Sequence, residues 1–459
     1  MLGIVISRAD TASLTIKEAL LAETEWTEAI DESIPDTEGG GTVYRGDGVE
    51  MREFDEWHLE LERPADAFGD ISLLIFASRH SGETGPLLTA HHTGNFGPAE
   101  FGGESNSLAR ACPNAHAAVV TSLDEFAPDG YEVGMECTHH GPTDVGAPSM
   151  FVEIGSDEQQ WDDIDAGQAV AQAILSLRGV EPDNCESEQL EEQPRCRHLV
   201  GFGGGHYAQR FERIVRDTDW AVGHIAADWG LDAIDDAETD RDVLELAFTM
   251  SNAEYAVIDG DNGALRPQLT ERGYQVVSET WVRETDGVSL SLINELESEV
   301  GEIADGLRIG EQAQMATETD WTVLRVPKEL LTETVGADRE GVRAAVQAES
   351  IGFMTAEGGT RPTGTVVLSG KDQYERIIEE LISVLETTYE EVNREENAVM
   401  VRSESFDPEK ASTLGVSEGP AFGKLAAGQP VEVHGETIPP EAVQTVEEKT
   451  FSLEPDSTD

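Results

Sequence analysis

Three short segments gather the residues of this sequence whose types and spacing could do chemistry. They are His91-His92-Thr93-Gly94-Asn95-Phe96-Gly97, Glu136-Cys137-Thr138-His139-His140-Gly141-Pro142 and Gly203-Gly204-Gly205-His206-Tyr207. Ten of the eleven histidines precede residue 225, and five of them stand in these segments. Imidazole and carboxylate are the usual ligands of a catalytic zinc ion, which keeps one position open for water. Such an ion lowers the pKa of its water to about 7 and polarises an ester carbonyl. His92, Glu136, His139 and His206 are therefore the expected ligands of Zn2+, with one or two ions per subunit. A lone histidine is more often a satisfied core or surface residue, and no His-Glu-x-x-His or Cys-x-x-Cys spacing fixes a ligand geometry here. The repetition of histidine clusters is what favours a shared site.

Around these ligands stand candidates for the remaining roles. Glu153 lies within the apolar run Met150-Phe151-Val152-Glu153-Ile154-Gly155, an expensive place for an unpartnered charge. It is the candidate general base, with a structural carboxylate that satisfies buried N–H groups as the rival reading. Asp144 is a further carboxylate nearby. His91 and His140 complete the catalytic set, and Asn95 and Thr138 are placed to donate to a developing oxyanion. Cys137 reads as a small buried strand residue rather than a ligand. Gly204 and Gly205 precede an apparent helix start at Tyr207, so their N–H groups could face an anion. A tight strand-to-helix turn is the plain alternative, and the absence of Gly-Lys-Ser/Thr excludes a Walker loop. Arg195, Arg197, Arg210, Arg213 and Arg216 share one stretch with a single acid, Glu212, for a local charge of +4. Arg210, Arg213 and Arg216 fall on neighbouring turns of one expected helix, as a phosphate-binding face or as salt-bridge partners of the acidic surface.

The elements that must position these residues follow from periodicity. Residues 3–7 read as a buried strand, followed by a helix over 13–30 and an acidic, Gly-rich loop over 35–50. The runs 71–80 and 149–156 read as strands, and 86–97 and 131–142 each as a strand that ends in a cluster of histidines. A helix is expected over 166–179, an acidic loop over 181–194, and strand, glycine turn and helix over 197–215. Further on come a helix near 240–250, strands at 255–259 and 274–283, and a helix at 288–305. This alternation predicts an α/β, three-layer α/β/α core. In open α/β sheets ligands gather at the carboxyl ends of strands, which would let the three segments converge. Beyond residue 310 the texture shifts to a smaller α+β region (310–450), with a long helix over 372–393 and a disordered tail over 451–459.

Composition limits the partners. There are 92 acidic residues against 30 basic ones, of which 24 are Arg, for a formal charge of -62. Apolar patterning persists throughout, so the acidity reads as a surface adapted to molar salt, where the Debye length is only about 3 Å. A field of this sign repels nucleic acid at low salt, so any such contact must be local and short-range. Four cysteines are too few for a disulfide framework in 459 residues, and no run of eighteen apolar residues appears. The expectation is a cytoplasmic protein with reduced thiols, no membrane contact and no stable protein partner.

Taken together, residues 91–103, 136–156 and 198–211 resemble the archaeal and plant class of D-aminoacyl-tRNA deacylase. The opening Ile4-to-Ile16 stretch and residues 273–290 are similar to the same family, so the resemblance covers roughly 1–305. It implies hydrolysis of the ester joining a D-amino acid to the 3′ adenosine of tRNA, with broad side-chain tolerance and zinc dependence. It also implies a core similar to peptidyl-tRNA hydrolase and zinc exopeptidases, with His91, His92, His139, His140 and His206 as site positions. Members are commonly shorter, so the region after 310 reads as an extension. Within it, residues 414–443 look like a segment of ribonuclease Z but lack the metallo-β-lactamase histidines, which favours a structural hairpin. The rivals to a deacylase are a zinc peptidase or amidase on small substrates, and a non-catalytic tRNA-binding protein with a structural metal.

Overall fold

The structure is a computed structural model that describes residues 1–185, 196–234, 242–316 and 321–457. Two compact units divide the chain, Met1–Asp286 and Gly287–Asp459. The first begins with β1 (Leu2–Ser7), α1 (Thr11–Glu23), β2 (Thr27–Asp31), β3 (Gly41–Gly46), β4 (Val49–Phe54), β5 (Leu73–Arg79) and β6 (Leu87–His91). A two-residue hairpin pair, β7 (Gly94–Asn95) and β8 (Ser107–Leu108), precedes α2 (Pro113–Phe126) and β9 (Glu132–Met135). β10 (Ser149–Gly155), α3 (Glu158–Trp161), α4 (Ile164–Ser176), β11 (His198–Phe202) and α5 (Gln209–Asp217) follow. The unit closes with β12 (Ala221–Ala226), α6 (Asp228–Asp232), α7 (Val243–Ser251), β13 (Tyr255–Ile258), α8 (Leu265–Glu271), β14 (Gln275–Val277) and α9 (Glu279–Glu284).

Eight strands form one mixed sheet in the order β2-β3-β4-β1-β5-β10-β6-β9, and four form a parallel sheet, β12-β11-β13-β14. β1 is buried at every position between parallel neighbours β4 and β5, as its unbroken apolar run requires. Its helix follows at once because Asp10 caps α1, accepting from the N–H groups of Ala12 and Ser13. Helices α1, α2 and α4 pack on one another and on β5, β6 and β10. Gly167 of α4 permits that close approach, since a Cβ there would stand 2.8 Å from Thr15 Cγ2. On the opposite face Phe76 and Phe151 are covered by loop residues, including Phe68, Ala109 and Val145. The expected α/β character therefore holds as a mixed α/β unit built on the eight-stranded and four-stranded sheets, and one face of the larger sheet is closed by loops where a third helical layer was expected.

Several local expectations shift. The first helix stops at Glu23, and the 35–50 loop contains β3, whose Thr42-Val43-Tyr44 run turns into β4 through Asp47-Gly48. The strand expected over 274–283 shortens to β14, because Ser278 caps α9 by accepting the Trp281 N–H. Cys185 and Cys196 form a disulfide, which corrects the expectation of four reduced thiols. A cysteine count cannot show pairing, and here two residues 11 apart in sequence bridge antiparallel. Most of that expected acidic loop, residues 186–194, lies outside the described residues, as does Arg195.

The second unit holds a four-stranded antiparallel sheet, Leu307–Ile309, Gly352–Ala356, Arg361–Leu368 and Thr322–Arg325 in spatial order. A three-stranded sheet pairs Glu391–Arg394, Ala398–Phe406 and Gln444–Ser452. The helix Lys371–Thr388 buries Ile377, Leu381 and Leu385 in a core shared with Phe353, Val399 and Phe451. The expected tail is thus ordered through its described part: Phe451 and Leu453 are buried, and the Asp456 N–H donates to Arg325 O. Compositional reading missed it because two apolar residues among polar ones suffice to dock a strand end. Residues 458–459 lie outside the described residues. Within 414–443 the chain forms a short hairpin, Val431–Val433 with Glu436–Ile438.

Candidate active site

Strand alternation places the chemistry on the loop-covered face of the large sheet. Directly paired residues share a face, and every second residue of a strand returns to it. The register sets His91 beside Phe151, and both Thr89 and Ser78 beside Glu153. Thr89 pairs in turn with Gly134 of β9, so Glu136, two residues on, faces the same way. His80, two residues past Ser78, does so as well. A Cβ on Gly155 would lie 2.8 Å from His80 Cδ2, so only glycine leaves room for that ring. Because β10 runs antiparallel to β6, the site spreads across the sheet face instead of lining one carboxyl edge. His206 arrives from the parallel sheet. Its segment adds to β9 like a further strand, with Cys137 N–H donating to His206 O (2.8 Å) and Ala208 N–H to Met135 O (3.1 Å).

His91, Glu136, His139, His140, Glu153 and His206 are therefore brought together, and His80 joins them. His206 Nε2 stands 2.6 Å and His80 Nδ1 3.1 Å from Glu136, while His91 Nε2 and His80 Nδ1 lie 3.8 and 3.7 Å from Glu153. Among the described residues, four sets of three ligand atoms lie within 4.8 Å of one another. They fall into two non-overlapping pairs: His80, Glu136, His206 with His91, His139, His140, and Cys137, His139, His206 with His91, Glu136, Glu153. Nδ1 of His91, His139 and His140 approaches a backbone carbonyl at 3.0, 2.9 and 2.8 Å. A carbonyl only accepts, so each Nδ1 carries the proton and each neutral ring offers a lone pair at Nε2. That is the orientation in which protein histidines bind metals. His91 Nε2 and both oxygens of Glu136 are buried without a hydrogen-bond partner, despite the short approaches just given. Ligand atoms that crowd together off their hydrogen-bond lines fit a cation held among them, and the donor set matches zinc.

The two carboxylates differ. Burial drives the Glu153 carboxyl above its ordinary range, with the Glu136 charge adding to it against the pull of His91 and His80. Burial also opposes the charge of Glu136, but contact with His206 and His80 and the proximity of His139 and His91 hold it well below that range. Burial lowers His139 to about 3, helped by the charge of His91, and lowers His140 strongly. Burial depresses His80 and His91 too, yet Glu136 and Glu153 respectively outweigh it and raise both. The site thus favours a positive charge at its centre.

The structure does not bring the other expected residues into this cluster. His92 turns away, with Nδ1 3.1 Å from Gly223 O and its ring against His116 and His224. Two adjacent residues of an extended chain face opposite sides, which is why only one member of the His91-His92 pair can join. Thr138 has its hydroxyl 3.0 Å from His224 Nδ1. His224 Nε2 donates to Ala109 O, so that Nδ1 is an acceptor and takes the Thr138 proton. Asn95 spends both amide protons on the carbonyls of Gly102 and Glu104. His80 was missed in the sequence, although it ends an apolar strand just as His91 does. Two cavities meet at His139, His140 and His206. One, of about 400 Å3, is lined further by Phe96, Phe101 and Trp229, and the other, of about 390 Å3, by Trp57, Leu59 and Phe151.

A sequence profile described as D-aminoacyl-tRNA deacylase matches residues 67–277. D-aminoacyl-tRNA deacylases of Haloarcula marismortui and Natronomonas pharaonis are each 50% identical to this chain, over 99% of it and 100% of their own length. The chain belongs to the D-aminoacyl-tRNA deacylase family. Enzymes of this family are hydrolases that act on the ester bond of aminoacyl-tRNA. A D-aminoacyl-tRNA deacylase of Methanosphaerula palustris, 33% identical, spans 96% of both chains, so the region after 310 is shared by these relatives. A solved structure of a conserved protein of unknown function is 30% identical, with a TM-score of 0.52, over 62% of this chain and 98% of its own.

Both features expected to hold the tRNA phosphates lie against acids. Arg210 pairs with Asp259 and Glu279, Arg213 makes a two-pronged contact with Glu279 at 2.9 and 2.7 Å, and Arg216 pairs with Glu212 and Asp124. Arg197 is buried beside Asp219. The glycine turn also faces acid. At Gly203 (φ +92) a Cβ would fall 2.0 Å from Asp259 O, and at Gly204 one would fall 2.9 Å from Asp259 Oδ2. Gly205 has open space beside it, and the helix begins at Gln209, two residues past the expected start.

Proposed function

We propose that this chain hydrolyses the ester of D-aminoacyl-tRNA to free D-amino acid and tRNA at the histidine–carboxylate cluster, with the assistance of Zn2+ and broad tolerance of the acyl side chain. The observation that carries this reading is the convergence of five imidazoles and two carboxylates on one buried face, in a chain half identical to named deacylases. His80, Glu136 and His206 would hold one ion, and His91, His139 and His140 a second. When bound, zinc supplies Lewis acidity toward an ester carbonyl and acidifies water.

The chain's own residues do the rest. Glu153 is the proton carrier, because it faces the cluster from β10 and burial raises its carboxyl above the ordinary range. It takes a proton from the water whose oxygen bonds to the ester carbonyl carbon. As the bond from that carbon to the ribose oxygen breaks, Glu153 returns the proton to the leaving oxygen. His91 Nε2 and His80 Nδ1 flank Glu153 at 3.8 and 3.7 Å. The carbonyls of His92, Cys137 and Gly141 fix the tautomers of the three ligand histidines. Apolar walls, including Trp57, Leu59 and Phe151, accommodate acyl groups of different size because they impose shape without hydrogen-bond demands. The test is release of D-tyrosine from D-tyrosyl-tRNA in molar KCl, with the L-ester spared. Chelation should abolish it and zinc restore it, with metal content followed by elemental analysis. Failure of the zinc-loaded protein to turn over either ester would sink the proposal.

A further inference from the structure

Catalysis requires the 3′ end of the tRNA to be held beside the histidines, and the arginines of α5 expected to hold it lie against acids. The chain as a whole carries -62. Two large aromatic side chains are nevertheless exposed at the site itself, Phe101 at 65% and Trp229 at 52%. Both line the 400 Å3 cavity whose wall is formed by His139, His140 and His206.

These two residues are held in place by glycines that the catalytic cluster does not otherwise explain. Phe101 sits on the loop 98–103, whose backbone is pinned from both sides. Gly141 N–H donates to Phe101 O at 2.9 Å, and a Cβ on Gly141 would lie 2.5 Å from the backbone of Gly102. Gly102 itself has φ +75, and a Cβ there would lie 2.1 Å from Leu59 O. Trp229 rides on α6, which approaches the same segment so closely that a Cβ on Gly97 would stand 2.7 Å from Ala233 Cβ. The glycines of the 91–103 motif thus build two fixed aromatic lips beside the histidine pair.

We infer that Phe101 and Trp229 stack the purine ring of the 3′-terminal nucleotide, so that the acceptor end is held by aromatic contact in place of charge. This rests on the proposed ester hydrolysis at the adjacent cluster and names where the nucleoside of that ester sits. Base–aromatic stacking needs no net charge, and screening by molar salt does not remove it, unlike phosphate pairing. The acyl group then occupies the 390 Å3 cavity on the other side of the histidines.

The experiment compares three esters on the full chain in molar KCl: D-tyrosyl-adenosine, D-alanyl-adenosine and a D-tyrosyl glycerol ester that lacks a base. Trp229→Ala and Phe101→Ala should each lower kcat/KM on both adenosine esters by about tenfold or more relative to the glycerol ester. Trp229→Phe should retain most of the preference. Equal losses on adenosine and glycerol esters, or no loss, would overturn the inference. So would a loss that follows the acyl group, larger for D-tyrosyl than for D-alanyl, because the lips would then hold the amino acid. Equilibrium binding of AMP to the unsubstituted protein and to Trp229→Ala, read by calorimetry, tests the stacking without turnover. Unchanged AMP affinity refutes it, whereas absent hydrolysis with intact, Trp229-dependent AMP binding refutes only the proposed activity.

Discussion

At the scale of single residues, the site separates groups by what their second atoms are doing. His139 and His92 are both pairs to a neighbouring histidine in sequence, yet His139 offers its ring to the cluster and His92 packs its ring against His116. Replacing His139 with Ala should therefore lower bound zinc and abolish turnover while leaving the melting temperature nearly unchanged. Replacing His92 with Ala should do the reverse, keeping the metal and lowering the melting temperature by several degrees. Elemental analysis beside a thermal melt checks both. Glu153→Gln keeps the shape of the side chain and removes its proton chemistry, so kcat should fall by about 10²–10⁴-fold with KM little changed. A large rise in KM would instead point to a role in binding.

At the scale of elements, α5 and α9 are tied by Glu279, and this tie decides what the arginines can do. Arg213 above all, with Arg283 and Arg210, holds the Glu279 carboxyl down to about 2 from an ordinary 4.5, against the effect of burial. A folded pKa below the unfolded one contributes stability that is complete above about 4.5 and is lost as pH falls toward 2. Glu279→Gln should flatten that acid limb of the melting curve by about 1 kcal/mol or less, since the pairs are partly solvated. Arg213→Gln should alter turnover of D-tyrosyl-tRNA by less than about fivefold, equivalent to ~1 kcal/mol. A loss well beyond that would restore the phosphate-binding role of this helix.

At the scale of the whole molecule, two bulk properties set the working conditions. A charge of -62 repels itself unless screened, so the melting temperature should climb as KCl is raised from tenths molar to several molar. A flat response would argue against a salt-adapted surface. Burial also holds His58, His116 and His224 at about 4, each from an ordinary 6.5. The unfolded chain binds more protons than the folded one between those values, so stability should fall as pH drops from about 6.5 to 4. Each histidine can account for up to about 3 kcal/mol of that loss. Among the described residues no helix is long and apolar enough to cross a membrane.

The sequence by itself determined the segments that carry the chemistry, most strands and helices of the first unit, and the family. Histidine clusters, glycine punctuation and apolar runs are local signals, and local signals survive without coordinates. It did not determine which histidines meet. That depends on strand direction and register: β6 and β9 oppose β10, alternation turns His92 away, and the missing side chain of Gly155 admits His80. Nor did it show that the arginine face is neutralised, because Glu279 lies far along the chain and only packing of α9 on α5 brings it near. Pairing of charges and convergence of ligands are properties of distances between remote residues, and only the tertiary structure decides those.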